Sequence, residues 1–201
     1  MITDGFFGRR RDQGYESRIP PGQSRTDSYP VLSFGPTPRM DLTKWRLVVR
    51  HEREELGALN WADFNALKQT EFTRDIHCVT RWTKLDMKWK GVLFDDILSA
   101  LGIEPATGHV TFHGADGYTT NLPLADLRGD KAMAATQYDG QAVTADHGGP
   151  IRMVVPHLYF WKSSKWLTGI TFTNVDRPGF WERGGYHNYG DPWTEQRFSD
   201  D

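Results

Sequence analysis

The 201-residue chain holds one cysteine, Cys78, and that scarcity excludes several chemistries at once. No disulfide can form inside it, and neither a zinc site built on two or four thiolates nor an internal CxxC redox relay is available. No apolar run approaches the roughly 18 residues needed to cross a bilayer, so no membrane span is expected. Charge of one sign is missing too: a net charge of -2 gives no electrostatic case for nucleic acid. Gly-rich dinucleotide loops, internal repeats and low-complexity blocks are absent. Aromatic residues are abundant. Trp 8, Phe 11 and Tyr 7 make a share of 13%, and so many rings call for a core, a pocket or both.

The first 28 residues are rich in Arg, Asp, Ser, Gly and Gln, and "IPPGQS" punctuates them with a turn. They read as an extended or flexible N-terminal arm, with the folded domain over 29–201. Arg9, Arg10 and Arg11 have the look of a twin-arginine signal, but Asp12, Gln13, Gly14, Tyr15 and Glu16 follow where an apolar stretch should stand. A cytoplasmic location is therefore expected.

Beyond the arm, residues 45–52 read as a strand, and 59–67 as a short helix with Asn60 as N-cap. Apolar spacing from Phe94 to Leu101 predicts a second helix, ended by Gly102. Residues 109–124 alternate about Asp116-Gly117, a strong hairpin signal. Residues 124–140 read as a short helix with an extended return. Both 150–161 and 165–174 read as β-like. Strands mixed with short helices, without βαβ regularity, point to an α+β fold. The Gly- and Pro-punctuated aromatics of 177–198 read as a segment wrapped over the core, closing a pocket.

Cys78 is open to three readings: an inert buried hydrophobe, a nucleophile paired with a histidine such as His113, His147 or His157, or a metal thiolate. With no second cysteine and no HxxxH spacing, the last needs a metal whose other ligands come from elsewhere. An organic cofactor bringing its own sulfurs meets that condition. Between 147 and 166, Arg152, Lys162 and Lys165 bracket an apolar strand, with Gly148 and Gly149 allowing close backbone approach. Arg offers a fork, Lys a point charge, and Ser163 and Ser164 hydroxyls and amides, a set suited to a phosphate. Solvated hairpin ends are the other reading of these cations.

Four strings, "HCVTRW", "FHGADGY", "GGPIRMVVPHLYFWKSSKWL" and "GFWERGGYHNYGDPW", stand in an order that resembles the molybdopterin-dependent domain of the sulfite oxidase superfamily. The likeness is closest to small bacterial sulfite-oxidase-like oxidoreductases and to the catalytic subunit of methionine-sulfoxide reductase. It covers residues 29 to 198. It implies mixed β-sheets with short helices, and Mo-molybdopterin as cofactor. It also implies Cys78 as both the protein's metal ligand and a catalytic residue. Carried over position by position, Pro30, Leu32, Ser33, His113, His147, Arg152, Ser163, Ser164 and Lys165 become cofactor contacts. Tyr186 aligns with an active-site tyrosine able to hydrogen-bond an oxo group or a substrate oxygen. Trp82, Trp89, Phe160, Trp161 and Trp181 would line or back the pocket.

The resemblance has departures. Sulfite oxidases read Arg-Asn-His ahead of Pro-x-Pro, where this chain has Leu32, Ser33 and Phe34. Their CxGNR arginine is also displaced, Arg81 standing three residues after Cys78. A small dianion needs several cations to replace its hydration. The expected function is therefore oxygen-atom transfer to or from a sulfoxide, an N-oxide or a similar small substrate. A non-catalytic molybdopterin-binding module and a cofactor-free Cys/His thiol enzyme are the alternatives. A chain of 201 residues leaves no room for an added haem domain, so an external electron-transfer protein or haem partner is expected. The arginines of the arm are candidates for docking it.

Overall fold

The structure, a computed structural model, describes residues 14–201. Arg9, Arg10 and Arg11 lie outside the described residues. In chain order the described strands are β1 (Ser24–Arg25), β2 (Arg46–His51), β3 (Glu54–Asn60), β4 (Thr70–His77), β5 (Trp82–Leu93), β6 (His109–Gly114), β7 (Thr119–Pro123), β8 (Met133–Tyr138), β9 (Gln141–Ala142), β10 (Arg152–Val154) and β11 (Leu167–Thr173). The helices are α1 (Trp61–Ala66), α2 (Phe94–Leu101) and α3 (Phe180–Arg183).

One sheet has the order β3-β2-β11-β6-β7. The other runs β1-β5-β8-β10, with β4 beside β5 and β9 beside β8. Most pairs are antiparallel, but β11 lies parallel to β2, and β1 to β5. The fold is therefore α+β with mixed sheets.

Alternation along the strands decides what each face buries. Leu47, Val49, Val110, Phe112, Leu122, Ile170 and Phe172 form one face of the five-stranded sheet and meet Phe94, Ile97 and Leu98 of α2. Val92, Ala134 and Met153 of the other sheet join the same cluster. Their neighbours Met133, Ala135 and Val154 point the opposite way, into a second cluster around Phe72, Met87 and Trp89. That sheet is thus buried on both faces, and the chemistry-bearing loops gather where its strands end.

Local signals behave as expected at several points. Asn60 Oδ1 accepts from the Asp63 amide at 2.9 Å and starts α1. Gly102, at φ 65°, takes the left-handed position that ends α2. The β6–β7 turn carries Gly117 at φ 84°.

Two segments differ from expectation. Within 150–161 only Arg152–Val154 is a strand, because the Ser163 hydroxyl accepts the Val155 amide at 2.9 Å and Pro156 follows, which ends the ladder. The described part of the arm, residues 14–28, is packed. Ser24 pairs with Trp82, and the Arg18 guanidinium contacts the Asp75 and Asp86 carboxylates, a fork and pairing that its polar composition did not reveal.

Candidate active site

A cavity of about 310 Å³ opens between the Cys78 loop, residues 29–34, the segment from His147 to Trp166, and α3 with the chain that follows it. Of the expected site residues, Pro30, Leu32, Ser33, Cys78, His147, Arg152, Ser163, Lys165 and Tyr186 line it. So do Trp82, Phe160, Trp161 and Trp181, while Trp89 stands behind in the second cluster.

His113 is not brought there. It alternates with the core residue Phe112 on β6, so its ring leaves by the other face of the sheet and bonds Thr171 Oγ1 at 2.9 Å. Ser164 is fully buried and does not line the cavity; its carbonyl accepts the Met153 amide at 2.8 Å. Gly148 and Gly149 allow close approach, but of the chain to itself. A Cβ on Gly149 would lie 1.9 Å from the Val143 carbonyl oxygen, and one on Gly148 2.8 Å from the Lys165 side chain.

Cys78 is 5% exposed and sits in a tight turn, its carbonyl accepting the Arg81 amide at 3.0 Å and its amide donating to Trp82 O at 2.9 Å. Burial pushes the thiol up from its ordinary pKa, and hydrogen bonds from the Thr80 side chain and the Thr80 and Val79 amides oppose that rise. Thr80 escaped the sequence reading, since nothing in its type or spacing says that the turn folds its hydroxyl over the sulfur. The Tyr186 ring stacks on Trp181, with centroids 5.1 Å apart, and meets Trp161 edge-on at 5.0 Å. Burial, and next the nearby Cys78, raise its phenol, so it keeps its proton at neutral pH.

A second group of lining residues surrounds Arg152. This guanidinium is 1% exposed and donates to Tyr29 Oη at 2.8 Å, His147 O at 2.6 Å and Ser163 O at 3.0 Å. Lys165 Nζ donates to Leu32 O at 2.8 Å, Ser33 Oγ at 2.9 Å and Asp146 O at 2.7 Å. His147 Nε2 donates to Tyr29 O at 2.9 Å, and its ring stacks on that of Tyr29 at 3.8 Å. Burial lowers the His147 pKa, so the ring is neutral at neutral pH. Tyr118, Asp116, Phe34 and Trp166 complete the wall and were not anticipated as contacts.

The surplus of charge is informative. Among the described residues no ion pair joins either Arg152 or Lys165 to a carboxylate, and all the oxygens just named are neutral. A buried guanidinium and a half-buried ammonium, both held on neutral acceptors, leave positive charge facing the cavity, and a phosphate would offset it. Trp82 lines the same cavity, and its Nε1, out of reach of solvent, has no hydrogen-bond partner among the described residues. With one thiol and two cations around it, the cavity fits a phosphate-bearing organic cofactor that brings further sulfur ligands.

The comparisons agree. The family described as oxidoreductase molybdopterin binding domain matches residues 34–181. The chain belongs to this family. It is 46% identical to the uncharacterized oxidoreductase YuiH of Bacillus subtilis over 195 residues, which are 96% of this chain and 98% of that one. It is 30% identical over 152 residues to a putative protein-methionine-sulfoxide reductase subunit, YedZ1, of Azospira oryzae, covering 75% of this chain and 57% of the relative. The sulfane dehydrogenase SoxCD of Paracoccus pantotrophus superposes with a TM-score of 0.61 at 16% identity, over 88% of this chain and 57% of that one, and shows the shared fold. The chain thus spans nearly all of the Bacillus relative and little more than half of the other two. It is a molybdopterin-dependent oxidoreductase of the sulfite oxidase type, with Mo-molybdopterin as cofactor.

Arg152, Lys165, His147 and the segment of Pro30, Leu32 and Ser33 would hold the pterin and its phosphate, and Cys78 would ligate the metal.

Proposed function

We propose that the protein transfers an oxygen atom between water and a small uncharged substrate, reducing a sulfoxide or an N-oxide with electrons from a separate electron-transfer protein. In balance, the substrate oxygen leaves as water while two electrons and two protons are consumed. The metal, when bound, supplies the two-electron redox couple.

The observation that carries the reading is the charge distribution of the cavity. Its charged lining side chains are Asp116, Arg152 and Lys165. The two cations are tied into the group around Tyr29 and His147. The lining residues near Cys78, which are Val79, Thr80, Trp82, Trp161, Trp181 and Tyr186, carry no formal charge. Among the described residues, such a wall offers a sulfite dianion no counter-charge and accepts the apolar substituents of a sulfoxide or amine oxide. Within it, the chain's own contribution is placement and water exclusion by Trp161 and Trp181, and a proton held on Tyr186 Oη for the departing oxygen. The relative whose name includes methionine-sulfoxide reductase supports the same direction.

A panel on molybdenum-loaded protein tests this. With a reduced dye as donor, dialkyl sulfoxides or amine N-oxides turn over, and with ferricyanide as acceptor sulfite does not. Sulfite oxidation faster than every reductive reaction would overturn the proposal. A cytoplasmic location remains part of this reading, checked by cell fractionation.

A further inference from the structure

The turn that carries Cys78 does more than present a sulfur. Arg81, held at φ 71°, closes it, and the closure folds Thr80 back so that its Oγ1 donates to Cys78 Sγ at 3.2 Å. Both residues face the cavity, so the donor and its acceptor stand on the side where the cofactor binds. The turn is anchored from outside by the Gln23 side chain, which bonds the Cys78 carbonyl at 3.0 Å, and by the Ser24 amide, which bonds the Arg81 carbonyl at 2.9 Å. The braced turn thus places Thr80 where its hydroxyl reaches the sulfur.

A hydrogen bond to a metal-bound thiolate draws electron density away from the sulfur. Its donation to the metal weakens, and the electron-richer, reduced metal is favoured. We propose that Thr80 is a positioning residue that sets the reduction potential of the molybdenum centre, holding it up through its hydrogen bond to Cys78. The inference rests on Cys78 being the protein's ligand to the metal. It adds a role for a residue two places along the chain, one that acts on the metal through the sulfur.

The test uses molybdenum-loaded holoprotein and optical redox titration, together with the energy of the thiolate-to-metal charge-transfer band. Thr80→Val keeps the shape and removes the donor; Thr80→Ser keeps the donor. The expected result is a lower potential and a band moved to lower energy in Thr80→Val, with Thr80→Ser near the wild type. A Thr80→Val protein with full metal content and wild-type potential and band overturns the inference, as does a Thr80→Ser protein shifted as far as Thr80→Val. Cys78→Ser separates the two levels of the argument: if it leaves the band unchanged, the reading of Cys78 as ligand falls and takes this inference with it.

Discussion

Gln23 donates its side-chain Nε2 to the carbonyl of Cys78 at 3.0 Å, across 55 residues of chain. The same amide accepts from Thr83 Oγ1 at 3.3 Å, and Thr83 in turn bonds His77 Nδ1 at 2.9 Å. The segment before the domain thus braces the cysteine turn at both ends.

Removing that brace loosens the turn. In Gln23→Ala the Cys78 carbonyl keeps the Arg81 amide but loses its second donor, a net loss of about 1 kcal/mol. Hydrogen exchange at the Arg81 amide should then run roughly fivefold faster in the apoprotein. Unchanged exchange there would show that the segment only drapes over the sheet.

Elements governed by neighbours in sequence were the legible ones: the Asn60 cap, the Gly102 stop and the Asp116-Gly117 turn each depend on a few adjacent residues. Strands β4 and β5 were not legible, although they form the longest pairing among the described residues. Their register shifts between Arg74 and Ile76, and Asp86 opposite adopts φ 55°, which breaks the period-two signal midway. In the site, family likeness brought Cys78, Arg152, Lys165 and Tyr186 to the cavity. It misplaced His113, because the face a strand residue takes is set by register, and register is a property of the sheet.

The tail that carries Trp181 and Tyr186 is locked by a buried ion pair. Lys162 Nζ and Glu182 Oε1 lie 2.6 Å apart, each side chain 1% exposed, and Trp161 Nε1 donates to the same oxygen at 3.0 Å. Burial lowers the Lys162 pKa and the Glu182 charge opposes that. Lys162→Met or Glu182→Leu alone strands a charge and should cost about 3–5 kcal/mol in urea unfolding. The double variant should lose much less than the sum of the two, since no lone charge remains; strict additivity would contradict the lock.

His77 makes the apoprotein acid-sensitive. Burial lowers its pKa from 6.5 to about 4, against the pull of Asp75. The folded state holds it neutral, whereas the unfolded chain takes up a proton below about 6.5. Its contribution is whole above that pH and is lost as pH falls toward 4. Between pH 7 and 4.5 the loss amounts to about 2–3 kcal/mol. His113, His147 and His157, also lowered by burial, add in the same sense. Urea unfolding of His77→Asn should show a shallower decline over this interval than the wild type. Parallel declines would mean that the ring is already charged in the fold.

Lys165 makes the anion site alkali-sensitive. Burial, and then Arg152, bring its pKa from 10.5 to about 8, with Asp146 and Asp116 resisting. Below that pH the ammonium stands beside the Arg152 guanidinium and the site carries two positive charges; above it one is lost. The facing groups do not titrate in the same range, because His147 is neutral well below pH 8 and burial holds the Tyr29 phenol up at about 12. Sulfate keeps its charge throughout and serves as the probe. Its affinity for the apoprotein, measured by calorimetry, should weaken by up to about tenfold per pH unit above 8, with a buffer-dependent heat reporting proton uptake on binding. Lys165→Gln should bind weakly at pH 7 and show no further loss by pH 9.5. A wild-type affinity that stays level over this range would place the ammonium outside the anion's reach and leave Arg152 to hold the phosphate alone.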